Sequence, residues 1–220
     1  MFLTIDGLLS PDALAKTHAD LVSLRWVDGR NSSGGAAKAV KANRQADLSS
    51  RVGVRIRDRL KTAVQSHPVL RAAAQPARFS QLLVSRTGVG GGYGLHYDNP
   101  FMGPNELALR TDLSYTLFLS DPEDYDGGAL IIERPGETKR FKPGAGSLVL
   151  YPSRTLHAVE PVTCGERLAC VGWIESRVRS EAQREILFDL ENLHASKNGV
   201  DGIEAITLGK IIANLKRQFD

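Results

Sequence analysis

Between Arg78 and Ser176 the chain passes through eight short stretches of β type with no helical periodicity between them. They are Arg78–Arg86, Gly94–Asp98, Thr111–Ser120, Ala129–Glu133, Thr138–Phe141, Ser147–Tyr151, Leu156–Val162 and Arg167–Ser176. Turn formers separate them: Asp121-Pro122, Asp126-Gly127-Gly128, Pro135-Gly136, Pro143-Gly144 and Cys164-Gly165. Parallel strands need long crossovers, and none is present, so the pairing must be antiparallel in a sandwich or barrel. A double-stranded β-helix, or jelly roll, fits this pattern best. The expected fold class is mainly β with flanking helices (α+β), a jelly-roll core carrying helical N- and C-terminal additions.

The flanks read as helix. Ser10-Pro11-Asp12 has the order N-cap, N1 proline and first-turn acid, and Leu14, Leu21 and Leu24 follow at near-helical spacing. Ser49–Ser66 repeats apolar residues at Val52, Ile56, Leu60 and Val64, and a short helix follows Pro68. Ser180 and Gln183 form a capping box before Ile186, Leu187, Leu190 and Leu193, and Asp201 opens a last amphipathic helix. Between these, Asp28–Asp47 is polar and small, and it reads as a long mobile loop, a linker or a lid over a site. The expected division is residues 1–76, N-terminal helices and mobile loop packing on the core; 77–178, the jelly-roll core; and 179–220, C-terminal helices. The three form one structural unit.

Composition excludes several classes. Hydrophobic residues make up 42% and charged residues 24%, ordinary for a soluble domain. A net charge of +3 with scattered lysines and arginines argues against a nucleic-acid partner. No apolar run has membrane-spanning length, so no membrane partner is expected. The acidic residues of MFLTIDGLLSPD argue against a signal peptide, and Cys164 and Cys170 lack metal-knuckle spacing. Two free thiols in a reducing, cytoplasmic setting is the expected reading. The terminal helices are a candidate homodimer interface.

The stretch Gly88–Met102, GVGGGYGLHYDNPFM, carries the chemistry. On a strand, His96 and Asp98 would project from one face. One imidazole and one carboxylate are two thirds of the 2-His-1-carboxylate triad that holds non-haem iron(II) with open positions. His157, at the start of a late strand, is the candidate third ligand, and a satisfied core histidine is the structural alternative. Ten residues on, Arg167 begins a strand that places it with Ala169, Val171 and Trp173 on one face. A buried guanidinium needs a partner. It is either an ion pair with Glu160, Glu166 or Glu175 or the carboxylate of a bound molecule. Arg86, Ser114 and Phe118 are weaker candidates, read as core or surface.

His96-x-Asp98, His157 and Arg167 together resemble the iron(II)- and 2-oxoglutarate-dependent dioxygenases of the prolyl 4-hydroxylase branch. Asn99-Pro100 after the His-x-Asp is similar to that branch as well. The chain looks most like the bacterial PKHD-type hydroxylases, which are associated with iron-uptake loci. That likeness rests on WVDGR at Trp26–Arg30, RTDLSYTLFLSDPEDYDGG at Arg110–Gly128, GSLVLYPSRTLHAVEPVTCGER at Gly146–Arg167 and LFDL at Leu187–Leu190. The chain departs from it at Ala169, where a small polar residue is usual, and at Tyr115, where a smaller side chain is expected.

The resemblance implies Fe(2+) on His96, Asp98 and His157, with no further catalytic residue. It implies 2-oxoglutarate as co-substrate clamped by Arg167, O2, and L-ascorbate to keep the iron reduced. The implied reaction hydroxylates a peptidyl or amino-acid-like substrate, with siderophore-related molecules included, and releases succinate and CO2. Related halogenases lack the carboxylate ligand, so Asp98 favours hydroxylation. Two other readings use the same residues differently: nucleic-acid demethylation, and a non-catalytic cupin-like metal-binding or sensing module. The second has no use for Arg167.

Overall fold

The computed structural model describes residues 1–32, 38–104, 107–196 and 202–220. The N-terminal part supplies β1 (Leu3–Ile5), β2 (Trp26–Asp28), β3 (Lys41–Ala42) and β4 (Arg44–Ala46). Next come β5 (Pro76–Phe79), β6 (Leu83–Thr87), β7 (Gly92–His96), β8 (Phe101–Met102) and β9 (Leu109–Arg110). The remaining strands are β10 (Leu113–Phe118), β11 (Tyr125–Gly127), β12 (Leu130–Arg134), β13 (Glu137–Phe141), β14 (Leu148–Pro152), β15 (His157–Val159), β16 (Val162–Gly165) and β17 (Arg167–Ser176). Helices α1 (Pro11–Leu21), α2 (Arg51–Ser66), α3 (Pro68–Ala74), α4 (Glu181–Ser196) and α5 (Ile203–Phe219) flank them. The start expected at Asp201 lies outside the described residues.

Two antiparallel sheets face each other as the jelly roll requires. The larger runs β1-β14-β10-β17-β6-β4-β2, with β5 also on β17, and the smaller runs β13-β12-β15-β7-β3. Alternation along β10 shows how one strand serves two layers. Leu113, Tyr115 and Leu117 join the core beneath the helices, where Ile56, Leu60 and Val64 of α2 are buried. On its other face Phe118 packs between the sheets with Leu130, Ile132, Val149 and Tyr151. Each fully buried aliphatic side chain of α2 contributes about 1.5–3 kcal/mol, so Leu60→Ala would cost a substantial fraction of the domain's stability.

The helix starts follow the sequence. Ser10 Oγ accepts from Ala13 N, Ser50 Oγ from Gly53 N, and Ser180 Oγ from Gln183 N. The long mobile loop is corrected. Within Asp28–Asp47, β3 pairs with β7, and β4 lies between β2 and β6. The edges of β6 and β7 offer unpaired backbone groups, and pairing with them overrides the weak strand preference of Lys-Ala-Asn-Arg-Gln-Ala. Residues 33–37 of that stretch lie outside the described residues. Several expected strands also change extent. Arg78–Arg86 breaks into β5 and β6 where Ser80 bonds the backbone of Trp173, Leu156–Val162 divides into β15 and β16, and Gly94–Asp98 ends at His96.

Candidate active site

β7 and β15 lie side by side with His96 directly opposite His157. Cross-strand partners share a face, and the two imidazole centroids are 4.3 Å apart. Asp98 is not on the strand, contrary to the reading that put it on one face with His96. It stands in the loop after β7, anchored by its backbone N–H to Ser153 O at 3.4 Å. Its carboxylate nevertheless turns to the same point, with Oδ2 3.7 Å from His157 Nε2. One ligand atom from each of His96, Asp98 and His157 lies within 4.8 Å of the others.

Neighbouring groups fix the orientation of each. His96 Nδ1 bonds Gly94 O at 2.7 Å, and His157 Nδ1 bonds Thr155 O at 2.9 Å. A carbonyl only accepts, so a hydrogen on Nδ1 satisfies each bond and leaves Nε2 as the basic atom. Burial, reinforced by the facing His157, pushes the His96 pKa down to about 4, so its imidazole is neutral at physiological pH. The Tyr93 ring stacks on His96 with centroids 3.6 Å apart. Ser114 Oγ donates to Asp98 Oδ2 at 2.6 Å, and Ser153 Oγ lies 2.7 Å from the same hydroxyl. Two imidazoles, each with Nε2 free, and a buried carboxylate suit a divalent iron ion in charge, donor type and number.

Arg167 opens β17 and lines the same cavity, as do Tyr151 and Trp173. It is 3% exposed, and its Nε and Nη2 have no hydrogen-bond partner among the described residues. Its guanidinium carbon lies 5.0 Å from the Phe118 ring centroid. The three acids considered as structural partners are engaged elsewhere: Glu160 with Arg140, Glu166 with Arg86, and Glu175 with Arg78 and Arg110. Burial pushes the Arg167 pKa down, while attraction to Tyr125 and Tyr151 opposes the shift. A cation so placed is a receptor for an anion that the protein does not itself provide among the described residues.

Residues 82–175 match the model of the 2OG-Fe(II) oxygenase superfamily. A PKHD-type hydroxylase of Hyphomonas neptunium is 50% identical over 99% of this chain and 98% of that protein. The chain belongs to the PKHD-type hydroxylases. One from Synechococcus elongatus is 44% identical over 100% of this chain and 99% of its own length. Among solved structures, a prolyl hydroxylase from Trichoplax adhaerens in complex with a hypoxia-inducible-factor peptide has the same fold. It aligns with a TM-score of 0.60 at 17% identity, over 79% of this chain and 83% of that one. As a PKHD-type hydroxylase the protein is an iron(II) oxygenase that uses 2-oxoglutarate and O2.

For this PKHD-type hydroxylase the structure re-sorts the weaker candidates. Arg86 pairs with Glu166 and lies over Trp26, a structural role. Ser114 and Phe118, read as core or surface, touch Asp98 and Arg167 respectively. Tyr115 packs in the helix-side core against Gly172, and it also lines the cavity. Sequence reasoning missed the wall made by Ser32, Lys41, Asn43 and Gln45, which lines the cavity. Lys41 Nζ and Gln45 Nε2 both donate to Ser32 Oγ, and Lys41 lies 5.0 Å from the Tyr93 centroid. The signal was the alternation of Lys41, Asn43 and Gln45, hidden because polar residues carry it.

Proposed function

We propose that His96, Asp98 and His157 hold the iron and that Arg167 receives the C5 carboxylate of 2-oxoglutarate. The observation that carries this is one cavity lined both by three converging ligand side chains and by a buried guanidinium whose Nε and Nη2 have no hydrogen-bond partner among the described residues. Iron(II), 2-oxoglutarate and O2 together supply the oxidising power, with succinate and CO2 released and a hydroxyl left on the substrate. The chain's own residues bind and orient. The carbonyls of Gly94 and Thr155 hold the imidazoles in one tautomer, Ser114 holds the Asp98 carboxylate, and Arg167 sets the distance at which the co-substrate sits. The Ser32-Lys41-Gln45 wall, together with Tyr97 and Met102, bounds the space left for the primary substrate.

The substrate reading is a peptidyl or amino-acid-like molecule, siderophore-related ones included, supported by the likeness to prolyl hydroxylases. Ascorbate fits as the reductant that keeps the iron divalent. Two free cysteines, Cys164 and Cys170, support a reducing, cytoplasmic setting. Among the described residues no helix is long and apolar enough to cross a membrane. Ile203 and Ile206, 80% and 73% exposed on α5, support pairing of two copies through the terminal helices.

The test is anaerobic titration of the protein with Fe(II) and 2-oxoglutarate, following the weak visible charge-transfer band, in wild type and Arg167→Ala. The expected result is a band in the wild type that needs much more 2-oxoglutarate in the variant. No band in iron-loaded wild type would overturn the assignment.

A further inference from the structure

A second buried donor stands beside Arg167. Tyr125, the first residue of β11, is 2% exposed. Lys142 lies over its ring, with Nζ 4.1 Å from the centroid. The Tyr125 hydroxyl is buried without a hydrogen-bond partner among the described residues, as are Nε and Nη2 of Arg167. The phenol and the guanidinium attract one another, yet they stop short of a well-formed hydrogen bond.

Donor counting says what is missing. A guanidinium has five N–H donors and no acceptor. A phenol can accept one of those and still has its own hydrogen to give, which Arg167 cannot take. Two buried side chains with donors to offer and no acceptor between them are completed by an acceptor from outside. Beside a buried cation, that acceptor is an anion.

The neighbours narrow the choice of donor. Ala169, two residues along the same face of β17, presents a methyl and no donor. Phe118, directly opposite Ala169 in the β10–β17 ladder, presents a ring to Arg167 and no donor. The Tyr151 hydroxyl is engaged with Thr116. In the β17–β6 ladder Thr87 lies opposite Arg167, and Ser85, opposite Ala169, accepts from Asn43 Nδ2.

We propose that the Tyr125 hydroxyl is the second donor to the C5 carboxylate of 2-oxoglutarate, beside Arg167. This rests on Arg167 being the clamp for that carboxylate. It makes the turn before Gly127-Gly128 part of the co-substrate site. β11 is held to β16 by the Tyr125↔Gly165 pairing, and Gly165 lies two positions before Arg167, the first residue of β17.

The experiment measures dissociation constants from the anaerobic charge-transfer band of the Fe(II)-loaded protein. The ligands are 2-oxoglutarate and 2-oxovalerate, which keeps the chelating end and lacks the distal carboxylate. Tyr125→Phe keeps the ring beneath Lys142 and removes only the hydroxyl. Loss of one charge-assisted hydrogen bond should raise the 2-oxoglutarate constant about tenfold or more and leave the 2-oxovalerate constant essentially unchanged. The same loss should persist in an Arg167→Lys background. Equal effects on the two ligands, no effect on either, or disappearance of the loss in Arg167→Lys would overturn the proposal. So would a loss in Thr87→Val with none in Tyr125→Phe. If Arg167→Ala itself leaves 2-oxoglutarate binding unchanged, the clamp assignment fails. If only Tyr125→Phe is silent, the clamp stands and Tyr125 is removed from it.

Discussion

His96 and His157 are direct cross-strand partners in the β7–β15 ladder, 61 positions apart in the chain and 4.3 Å apart at their ring centroids. That pairing sets the spacing of the iron ligands, because register in a ladder is fixed by the turns and faces of the whole sheet. Asp98 completes the set from a loop, so its position depends on side-chain contacts instead.

The first prediction concerns the carboxylate. Asp98→Ala leaves two imidazoles and no carboxylate at the metal. Iron(II) affinity should fall by more than about 100-fold, beyond what loss of an outer partner costs. Succinate release should fall with it. Anaerobic iron titration and 2-oxoglutarate turnover check both. Wild-type iron binding in Asp98→Ala would remove it from the ligand set.

The second prediction concerns what holds Asp98. A carboxylate can only accept, and Ser114 has a single hydroxyl hydrogen, so the 2.6 Å contact uses it and Ser153 must donate to Ser114. Ser114→Ala breaks this chain at its centre. Iron affinity should weaken about tenfold, at the low end for outer-shell partners of metal ligands. The 2-oxoglutarate constant at saturating iron should be unchanged. Equal weakening of both would mean a general disturbance of β10 instead.

How much of this was readable follows from what each residue's role depends on. His96, Asp98, His157 and Arg167 could be picked out because their chemistry is unusual in an apolar β region, whatever the sheet register. β3 and β4 could not, because Lys41–Ala46 lacks β-branched residues and is extended only by pairing with β7 and β6, distant in sequence. The core-facing side of Tyr115 was hidden for a different reason. Alternation along Leu113–Phe118 separates it from Ser114 and Thr116, but which face meets the helices is decided by the packed layers. Tyr125 was hidden beside the Asp126-Gly127-Gly128 turn signal, where a buried aromatic has no periodic neighbours to announce it.

Tyr115 supplies the third prediction. It sits directly opposite Gly172 in the β10–β17 ladder, and its hydroxyl and ring occupy the space a side chain at 172 would need. Gly172→Ala should overpack this site and destabilise the protein by about 1–3 kcal/mol. Tyr115→Leu should lose stability alone by leaving a void. The double variant should be less destabilised than the sum of the two, because each relieves the other's fault. Thermal unfolding of the four proteins tests this; strict additivity would mean that the two sites do not compete for space.

The last prediction is a pH dependence of the metal-free protein. His96 is pushed down to about 4 in the fold, mainly by burial and next by the facing His157. In the unfolded chain it returns to its ordinary value of about 6.5. Between these limits the unfolded state binds more protons than the folded one. Stability therefore rises with pH across the window and is lost as pH falls through it. Denaturant midpoints of wild type should decline from pH 6.5 toward 4, and His96→Gln should decline less steeply over the same range. A divalent metal that binds only the neutral imidazole should steepen the wild-type slope and leave the variant's nearly unchanged. Parallel profiles for wild type and His96→Gln would show that the imidazole is not held neutral by the fold, and would remove the preorganisation assigned to it here.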